Sequence, residues 1–274
     1  ADLTVDVSGF RLGTAYIEQD LKKRDFSMNA MAVRVADLIG DGWDITVIDP
    51  MDGLGDMYRK VITSCPGAFA DDPLRMVRAF RFSSMLGYRL TAETRAAISA
   101  RVNLINLSAA ERISSELDLI MTSRQAHQSI VEMDKVGLLE WLVPELQEGD
   151  GVDQPAFHHL DVLQHNILTL YYMERILENP QRYFGDVGDF VVEYLSEPSA
   201  SMLLKWAALL HDIGKPDAKN INPEKNDRIT FYGHDHAGVE KIEMFAERMR
   251  WSRKNREKIC LLVGMHMHPF HLCN

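Results

Sequence analysis

The sequence predicts an α+β protein that is mostly α-helical, with short β-strands only near its beginning. Runs of β-branched residues bounded by Gly, Pro and Asp indicate strands at 47–48 and 61–63. Alternation of apolar and polar residues from Leu3 to Ser8 indicates another strand, which carries Asp6 on one face. From residue 71 onward, apolar residues recur at helical spacing between capping residues and helix-ending glycines.

Length and composition fit a protein of two modest domains. The chain has 274 residues, of which 46% are hydrophobic and 26% charged, with a formal net charge of −10. This acidic balance argues against indiscriminate coating of nucleic acid, although the local basic strip 75–81 can still hold phosphates. Three distant cysteines predict reduced thiols and a cytoplasmic location. Lys205 interrupts the most apolar run, so we expect no membrane span.

The segment from Phe69 to Phe82 is predicted to open the helical part of the chain. Asp72 is a good N-cap and Pro73 suits the first helical position. On such a helix Asp72, Arg75 and Arg78 share one edge, which presents an acceptor beside two guanidinium groups. These three side chains suit binding of a base through its Watson–Crick edge and of the phosphates attached to it. A capping Asp72 that forms a local ion pair with Arg75 explains the same residues equally well.

The remaining elements are read as helices. Thr91 to Arg101 has helical spacing, and Ser108 to Glu111 has the form of a capping box that starts the next helix. Pro144 is expected to stop a later helix, and 149–154 is the best candidate for a linker. Beyond it we expect an all-helical unit. Its helices are predicted at 157–173, 190–195, 201–210, 238–249 and 255–265.

Four blocks together resemble the bacterial tRNA nucleotidyltransferase and poly(A) polymerase family, which includes the CCA-adding enzymes. Residues 23–30 (KRDFSMNA) are similar to its RRDF(T/S)xNA motif. Residues 49–57 (DPMDGLGDM) are similar to its DPxGGxxDL turn, with Asp52 in place of a Gly. Residues 69–82 resemble EDPLRMxRAxRF, and Glu111-Arg112-Ile113 resembles an ExR-type helix. Several blocks in order are far more specific than one.

The resemblance implies a partial nucleotidyltransferase head, a helical neck and an HD domain, which we place at 1–62, 63–148 and 155–274. It implies addition of CMP or AMP to the 3′ end of tRNA or another RNA, with ATP and CTP as substrates and Mg²⁺ as cofactor. Whether CCA, a single A or poly(A) is added stays open, as does the oligomeric state.

The resemblance also assigns roles to individual residues. Asp72 and Arg75 would read the base, because a carboxylate and a guanidinium match the edge of cytosine or adenine. Arg24 and Asp25 would contact the ribose, Asn29 the triphosphate or its metal, and Arg78 the nucleotide. A surface ion pair for Arg24 and Asp25, and a turn or cap role for Asn29, are the alternatives. For Glu111, the capping box alone is a sufficient explanation.

Two family motifs, GGxVRD and DxD, do not occur in the sequence. Two-metal phosphoryl transfer needs several carboxylates, and Asp6 is either the third carboxylate of such a site or a solvent-facing strand residue. We therefore expect this chain to carry about half of a catalytic head and not to polymerise on its own.

The second half resembles the HD superfamily of metal-dependent phosphohydrolases. The candidate ligands are His165, His211, Asp212, His234 and His266, because imidazole and carboxylate together suit Mn²⁺, Ni²⁺, Co²⁺ or Fe²⁺. Lys215 either holds a phosphate or is a solvated loop lysine. Two alternatives to nucleotidyl transfer follow: an HD phosphohydrolase acting on cyclic phosphates or phosphate esters, and a non-catalytic RNA-binding remnant.

Overall fold

The structure is a computed structural model, and it describes residues 17–39, 45–155, 159–197, 199–223 and 228–269. The predicted strand around Asp6 lies outside these residues, as do His158 and His271. The chain divides into two units, Ala1–Leu107 and Ser108–Asn274. Each unit is described by itself.

The described part of the first unit consists of helices, two two-stranded sheets and one isolated bridge; strands 47–48 and 61–62 were predicted, whereas those at 32–33 and 89–90 were not. β1 (Ala32–Val33) pairs antiparallel with β2 (Val47–Ile48), β3 (Val61–Ile62) pairs parallel with β4 (Arg89–Leu90), and an isolated antiparallel bridge joins Phe26 to Ser64. The elements are α1 (Ile17–Leu21), β1 (Ala32–Val33), α2 (Val35–Ile39), β2 (Val47–Ile48), α3 (Gly53–Arg59), β3 (Val61–Ile62), α4 (Ala68–Asp71), α5 (Arg75–Leu86), β4 (Arg89–Leu90) and α6 (Ala92–Ser99), with 3₁₀ turns at Ser27–Asn29 and Val102–Leu107.

The turn before α3 is held by Asp49 and contains one left-handed residue, Asp52. Both carboxylate oxygens of Asp49 accept from the first amides of α3, Gly53 N–H at 2.7 Å and Leu54 N–H at 2.9 Å. Asp52 has φ of 55°, a left-handed conformation that favours Gly, which is the residue at this position in the motif that the segment resembles. At Gly53 a Cβ atom would lie 2.3 Å from the Ser27 carbonyl oxygen, so only Gly fits there.

The second unit is a helical assembly, with one antiparallel hairpin among its described residues. That hairpin pairs β5 (Asn220–Asn222) with β6 (Arg228–Thr230) and differs from the all-helical expectation. The elements are α7 (Ala110–Thr122), α8 (Ala126–Lys135), α9 (Leu138–Leu142), α10 (Pro144–Gln147), α11 (Val162–Glu178), α12 (Pro180–Phe184), α13 (Gly188–Leu195), α14 (Ala200–Leu210), α15 (Lys215–Ala218), β5 (Asn220–Asn222), β6 (Arg228–Thr230), α16 (His234–Arg248) and α17 (Arg253–Gly264).

Helix α14 is the centre of the second unit. It packs against α7, α11 and α17 and is apolar on nearly all sides, as a helix surrounded by others must be. Trp206 packs against Phe245 and Trp251 and donates its indole N–H to Asp118 at 2.9 Å. Lys205 is tolerated in this core because its Nζ donates to the Ser123 carbonyl and to the buried carboxylate of Glu174 in α11. No helix of the described residues is long and apolar enough to cross a membrane.

Some predicted helix boundaries were wrong. Helix α7 has Ala109 as its N-cap with no side-chain cap, so the Ser108 capping box does not form. Helix α9 ends at Leu142, two residues before Pro144, as expected of a helix stop, and Pro144 also starts α10, because its missing N–H costs nothing at a first helical position. Helix α16 begins at His234, four residues before the predicted start. The predicted linker 149–154 begins as a turn that ends at residue 151, and the Gly149 carbonyl accepts from Leu163 N–H of α11 at 3.1 Å.

Candidate functional site

Asp25 is the centre of the candidate nucleotide-binding region in the first unit. It is 6% exposed, and its Oδ1 accepts from Phe26 N–H at 2.9 Å and from Asn29 Nδ2 at 3.0 Å. Its Oδ2 lies 2.6 Å from Nη2 of Arg78, a residue of α5. One buried carboxylate thus brings together three of the predicted residues, Asp25, Asn29 and Arg78. A surface ion pair does not describe this contact, because the Asp25 side chain is only 8% exposed.

Arg24 points elsewhere. Its Nη2 pairs with Asp20 at 2.8 Å, four residues earlier, and its side chain is 40% exposed. The two members of the Arg24-Asp25 pair therefore have different environments, one at the surface and one in the core.

Asp72 and Arg75 flank the turn that leads into α5. Asp72 has an extended backbone, and its Oδ1 accepts from Leu74 N–H at 3.2 Å. It therefore caps this turn and not α5. The predicted N-cap role of Asp72 and the first helical position of Pro73 were wrong, because α5 begins at Arg75 with Leu74 as its N-cap. Nη1 of Arg75 donates to the Ala68 carbonyl at 3.3 Å. Both side chains are half-buried, three residues apart, and Arg78 on the same helix is engaged by Asp25.

Asp25 and Arg75 both affect the pKa of the Cys65 thiol. Burial and the Asp25 carboxylate raise the pKa of Cys65 to about 11, while the Arg75 guanidinium lowers it. The thiol is therefore protonated at neutral pH and belongs to the core.

Glu111 does not take part in the predicted capping box, because Ala109 is the N-cap of α7. It lies in the first turn of α7, where a carboxylate is favoured by the helix dipole, and it is exposed. Its Oε1 lies 3.8 Å from Nε of Arg250, a pairing between exposed side chains.

The five predicted metal ligands come together around one carboxylate in the second unit. Asp212, which is 3% exposed, follows α14, and its two oxygens face different histidines. Oδ2 lies 3.0 Å from Nε2 of His211 and 3.2 Å from Nε2 of His165, a residue of α11. Oδ1 lies 3.2 Å from Nε2 of His234 and 3.6 Å from Nε2 of His266. The residues form two groups that share Asp212.

Backbone carbonyls orient three of these rings. Nδ1 of His211 faces the Ala208 carbonyl at 3.0 Å, and Nδ1 of His266 faces the Val263 carbonyl at 2.6 Å. Nδ1 of His234 faces the carbonyl of Phe231 at 2.7 Å. A carbonyl accepts only, so each Nδ1 carries a hydrogen, and in the neutral ring Nε2 presents a lone pair to Asp212.

This donor set fits a divalent cation. Nε2 atoms face one another at 3.2 Å (His165 and His211) and at 3.0 Å (His234 and His266), with carboxylate oxygens beside them. Acceptors this close repel unless a proton or a metal cation lies among them. Burial alone would raise the pKa of Asp212, but the four histidines, when their Nε2 atoms carry a hydrogen, donate to the carboxylate and lower this pKa well below its usual range. Burial alone would lower the pKa of His266, and hydrogen bonds to Asp212 and the Val263 carbonyl raise it.

Gly214 explains how the loop after α14 reaches α16. A Cβ atom at this position would lie 2.2 Å from the His234 carbonyl oxygen and 2.3 Å from the Gly238 nitrogen. Only a glycine lets the two backbones approach so closely, and this approach places His234 beside Asp212. The Gly of the HDIGK sequence therefore has a packing role that the sequence pattern alone did not reveal.

Lys215 is not a solvated loop lysine. It is 8% exposed, and its Nζ lies 2.6 Å from Oδ2 of Asp212 and donates to Oε1 of Gln154 at 2.7 Å. Gln154 did not stand out in the sequence, because it is an isolated glutamine 61 residues before its partner. His236 and His268 lie outside the two ligand groups found among the described residues.

Three family models match the chain in order. They are the poly(A) polymerase head domain at residues 7–63, the probable RNA- and SrmB-binding site of polymerase A at 87–149, and the HD domain at 162–272. Together they account for most of the chain.

Curated relatives and solved structures agree with these matches. An A-adding tRNA nucleotidyltransferase of Deinococcus radiodurans is 31% identical over 92% of this chain and 52% of its own length. A multifunctional CCA protein of Pseudomonas syringae pv. syringae is 30% identical over 91% of this chain and 54% of its own. The chain thus spans about half the length of these relatives. A tRNA nucleotidyltransferase solved with a primer tRNA and an ATP analogue shares the fold, with a TM-score of 0.59, 23% identity, and coverage of 95% of this chain and 60% of that one.

Proposed function

Because the chain belongs to the bacterial tRNA nucleotidyltransferase and poly(A) polymerase family with an HD domain, we propose that it selects the nucleotide for an enzyme that adds CMP or AMP to RNA 3′ ends. The RNA is tRNA in the first instance, since the relatives are named for it. In this proposal residues 1–62 belong to the head, 63–148 to the neck and 155–274 to the HD domain.

The observation that carries the proposal is the turn from Asp72 to Arg75. It holds a carboxylate and a guanidinium, both half-buried, three residues apart at the entrance to α5. A carboxylate accepts from the exocyclic amine of cytosine or adenine while a guanidinium donates to the adjacent ring nitrogen. Uracil and guanine present the opposite pattern. Asp25 positions this helix through Arg78.

Mg²⁺ is expected for nucleotidyl transfer, but the described part of the first unit does not offer a site for it. Its two buried carboxylates, Asp25 and Asp56, are each engaged by neighbouring side chains. We therefore derive no step through this ion, and the proposal concerns base selection.

The test measures binding of labelled CTP, ATP, UTP and GTP to this chain by equilibrium dialysis. We expect CTP and ATP to bind at least about tenfold more tightly than UTP and GTP, because a correct pair of hydrogen bonds contributes about 1–3 kcal/mol of discrimination. Asp72→Ala and Arg75→Ala should abolish that preference. Arg95→Ala is the matched control, since Arg95 also donates to a backbone carbonyl, that of Leu90 at 2.8 Å. Unchanged preference in Asp72→Ala would refute base reading.

A second candidate function is a metal-dependent phosphohydrolase, and the observation that favours it is the cluster around Asp212. His165, His211, Asp212, His234 and His266 would hold a divalent transition metal, through Nε2 atoms and carboxylate oxygens. A metal bound there would supply an activated water for hydrolysis of a phosphate ester. The carbonyl contacts at Nδ1 keep three of the rings turned toward Asp212.

Metal analysis and a turnover assay test this second function. The purified chain should retain Mn²⁺, Ni²⁺, Co²⁺ or Fe²⁺ after dialysis and hydrolyse a 2′,3′-cyclic phosphate. His211→Ala should lose both properties, whereas His236→Ala, which changes an exposed histidine of α16 outside the cluster, should lose neither. A chain that binds no metal and shows no turnover rules the function out.

A further inference from the structure

Helices α12 and α13 carry an exposed apolar surface in the second unit. Phe190, in the middle of it, is 72% exposed. Single exposed apolar side chains are common on soluble proteins, but a contiguous group of them marks an interaction site. We call this group the aromatic patch. Its members are Tyr183, Phe184, Val187, Phe190, Val192 and Tyr194.

Gly188 holds the two helices of the patch together. A Cβ atom at this position would lie 2.8 Å from the Cα atom of Gln181, so the backbones of α12 and α13 approach closely there. Val187, Phe190 and Tyr194 are spaced by three and four residues, which places them on one side of α13. The aromatic residues of α12 lie on the helix packed beside it. The exposed side chains are therefore neighbours and not scattered residues.

Helix α13 gains little from packing within this chain. Its sequence, GDFVVEYL, is mostly apolar, yet Gly188 is its only buried residue. A helix this short is marginal in water unless an apolar face is packed against another element. An apolar helix that stays exposed is therefore suited to a partner that covers it.

The charges beside the patch indicate which partner fits. Asp186, Asp189 and Glu193 are exposed between the apolar residues, and none forms an ion pair with another described residue. Arg182 is the only basic residue of the segment 181–197, and its guanidinium lies over the Tyr183 ring at 5.9 Å. The acidic side chains repel RNA phosphates, an anionic membrane surface and the same patch of a second copy. They attract lysine and arginine side chains.

We propose that the aromatic patch is a docking surface for a segment of another protein that presents apolar side chains between lysines and arginines. The apolar side chains of the partner cover Phe190 and its neighbours, while its cations pair with Asp186, Asp189 and Glu193. Buried aromatic residues supply most of the binding energy at such interfaces, and the charges select the partner. The inference is independent of nucleotide selection and of the metal cluster, because no residue of the patch belongs to either.

The experiment uses two labelled synthetic helical peptides and fluorescence anisotropy. One peptide has leucines on one face and lysines on the other, and the second has glutamate in place of every lysine. The lysine peptide should bind at least about tenfold more tightly at low ionic strength and lose most of this advantage at high ionic strength. Hydrogen exchange should show that the bound peptide protects the backbone amides of α12 and α13.

Three variants make the result specific to the patch. The double change Phe190→Ser and Tyr194→Ser should weaken binding of the lysine peptide at least about tenfold. The double change Asp189→Lys and Glu193→Lys should weaken the lysine peptide and strengthen the glutamate peptide. Tyr232→Ser is the matched control, because it removes an exposed tyrosine outside the patch and should leave binding unchanged. Circular dichroism checks that each variant is folded.

The remaining outcomes overturn the proposal. It is wrong if the lysine peptide does not bind, if the two peptides bind equally, or if the protected amides lie outside α12 and α13. Dimerisation in sedimentation experiments that Phe190→Ser abolishes would assign the patch to a second copy of this chain. Binding to vesicles of phosphatidylcholine and phosphatidylserine that Phe190→Ser abolishes would assign it to a membrane surface.

Discussion

Replacing Arg78 tests whether the buried carboxylate of Asp25 organises the first unit. The proposed changes are Arg78→Met, Asp25→Asn and the double variant. Arg78→Met leaves the Asp25 carboxylate without its cationic partner in a site where its side chain is 8% exposed. Asp25→Asn keeps an oxygen that accepts from Phe26 N–H and removes the charge.

The magnitude follows from the burial of the two partners. Breaking a fully buried ion pair on one side costs about 3–5 kcal/mol. The Arg78 side chain is 32% exposed, so water reaches part of the site and we expect about 2–3 kcal/mol for Arg78→Met. Asp25→Asn should cost less, because the arginine left behind can turn to solvent. The double variant should recover about 1–2 kcal/mol relative to the sum of the single changes.

Hydrogen exchange gives the local readout. Protection of the backbone amides of α5 reports the free energy of opening for this unit alone, without interference from unfolding of the second unit. CTP binding is measured in parallel, and it should weaken in Arg78→Met because the helix that carries Arg75 loses its anchor. If the single changes add without coupling, or if Arg78→Met leaves α5 protection unchanged, the Asp25–Arg78 contact does not organise this region.

Three other predictions concern the second unit. Gly214→Ala should lower the free energy of unfolding by about 2 kcal/mol or more and reduce the amount of bound metal, because the new Cβ would clash with the His234 backbone. Gly264→Ala is the control: its Cβ would meet only a movable methyl group of Val239, so thermal unfolding should be unchanged. Burial raises the pKa of Asp118, so the folded state loses stability as pH rises through that pKa. Asp118→Asn should therefore be more stable than wild type at pH 7 and lose this advantage in acid. Urea titrations at several pH values measure the difference. Saturating Mn²⁺, at about 100 times its dissociation constant, should stabilise wild type by about 2.7 kcal/mol and leave Asp212→Asn unaffected in calorimetry; equal shifts in both would place the ion elsewhere.

The sequence predicted much of the local structure because the signals are local. The helix predicted from Thr91 forms as α6, with Thr91 as its N-cap, and Gly87 ends α5 in a left-handed conformation, as expected of a C-cap glycine. The predicted strands at 47–48 and 61–63 form as β2 and β3. The capping box at Ser108 failed, because a favourable local pattern competes with packing and forms only when the backbone geometry permits it.

For the candidate sites, the sequence by itself determined which residues are candidates for the chemistry, and the tertiary structure decided which of them lie together and which partners they contact. The order of motifs identified the candidate ligands around His211 and Asp212, since residue type and spacing are written in the chain. Nothing local predicted that Arg78 would pair with Asp25, or that Gln154 would hold Lys215 against Asp212. Those partners are 53 and 61 residues apart by their numbering, and only folding brings them within hydrogen-bonding distance, where burial strengthens each contact.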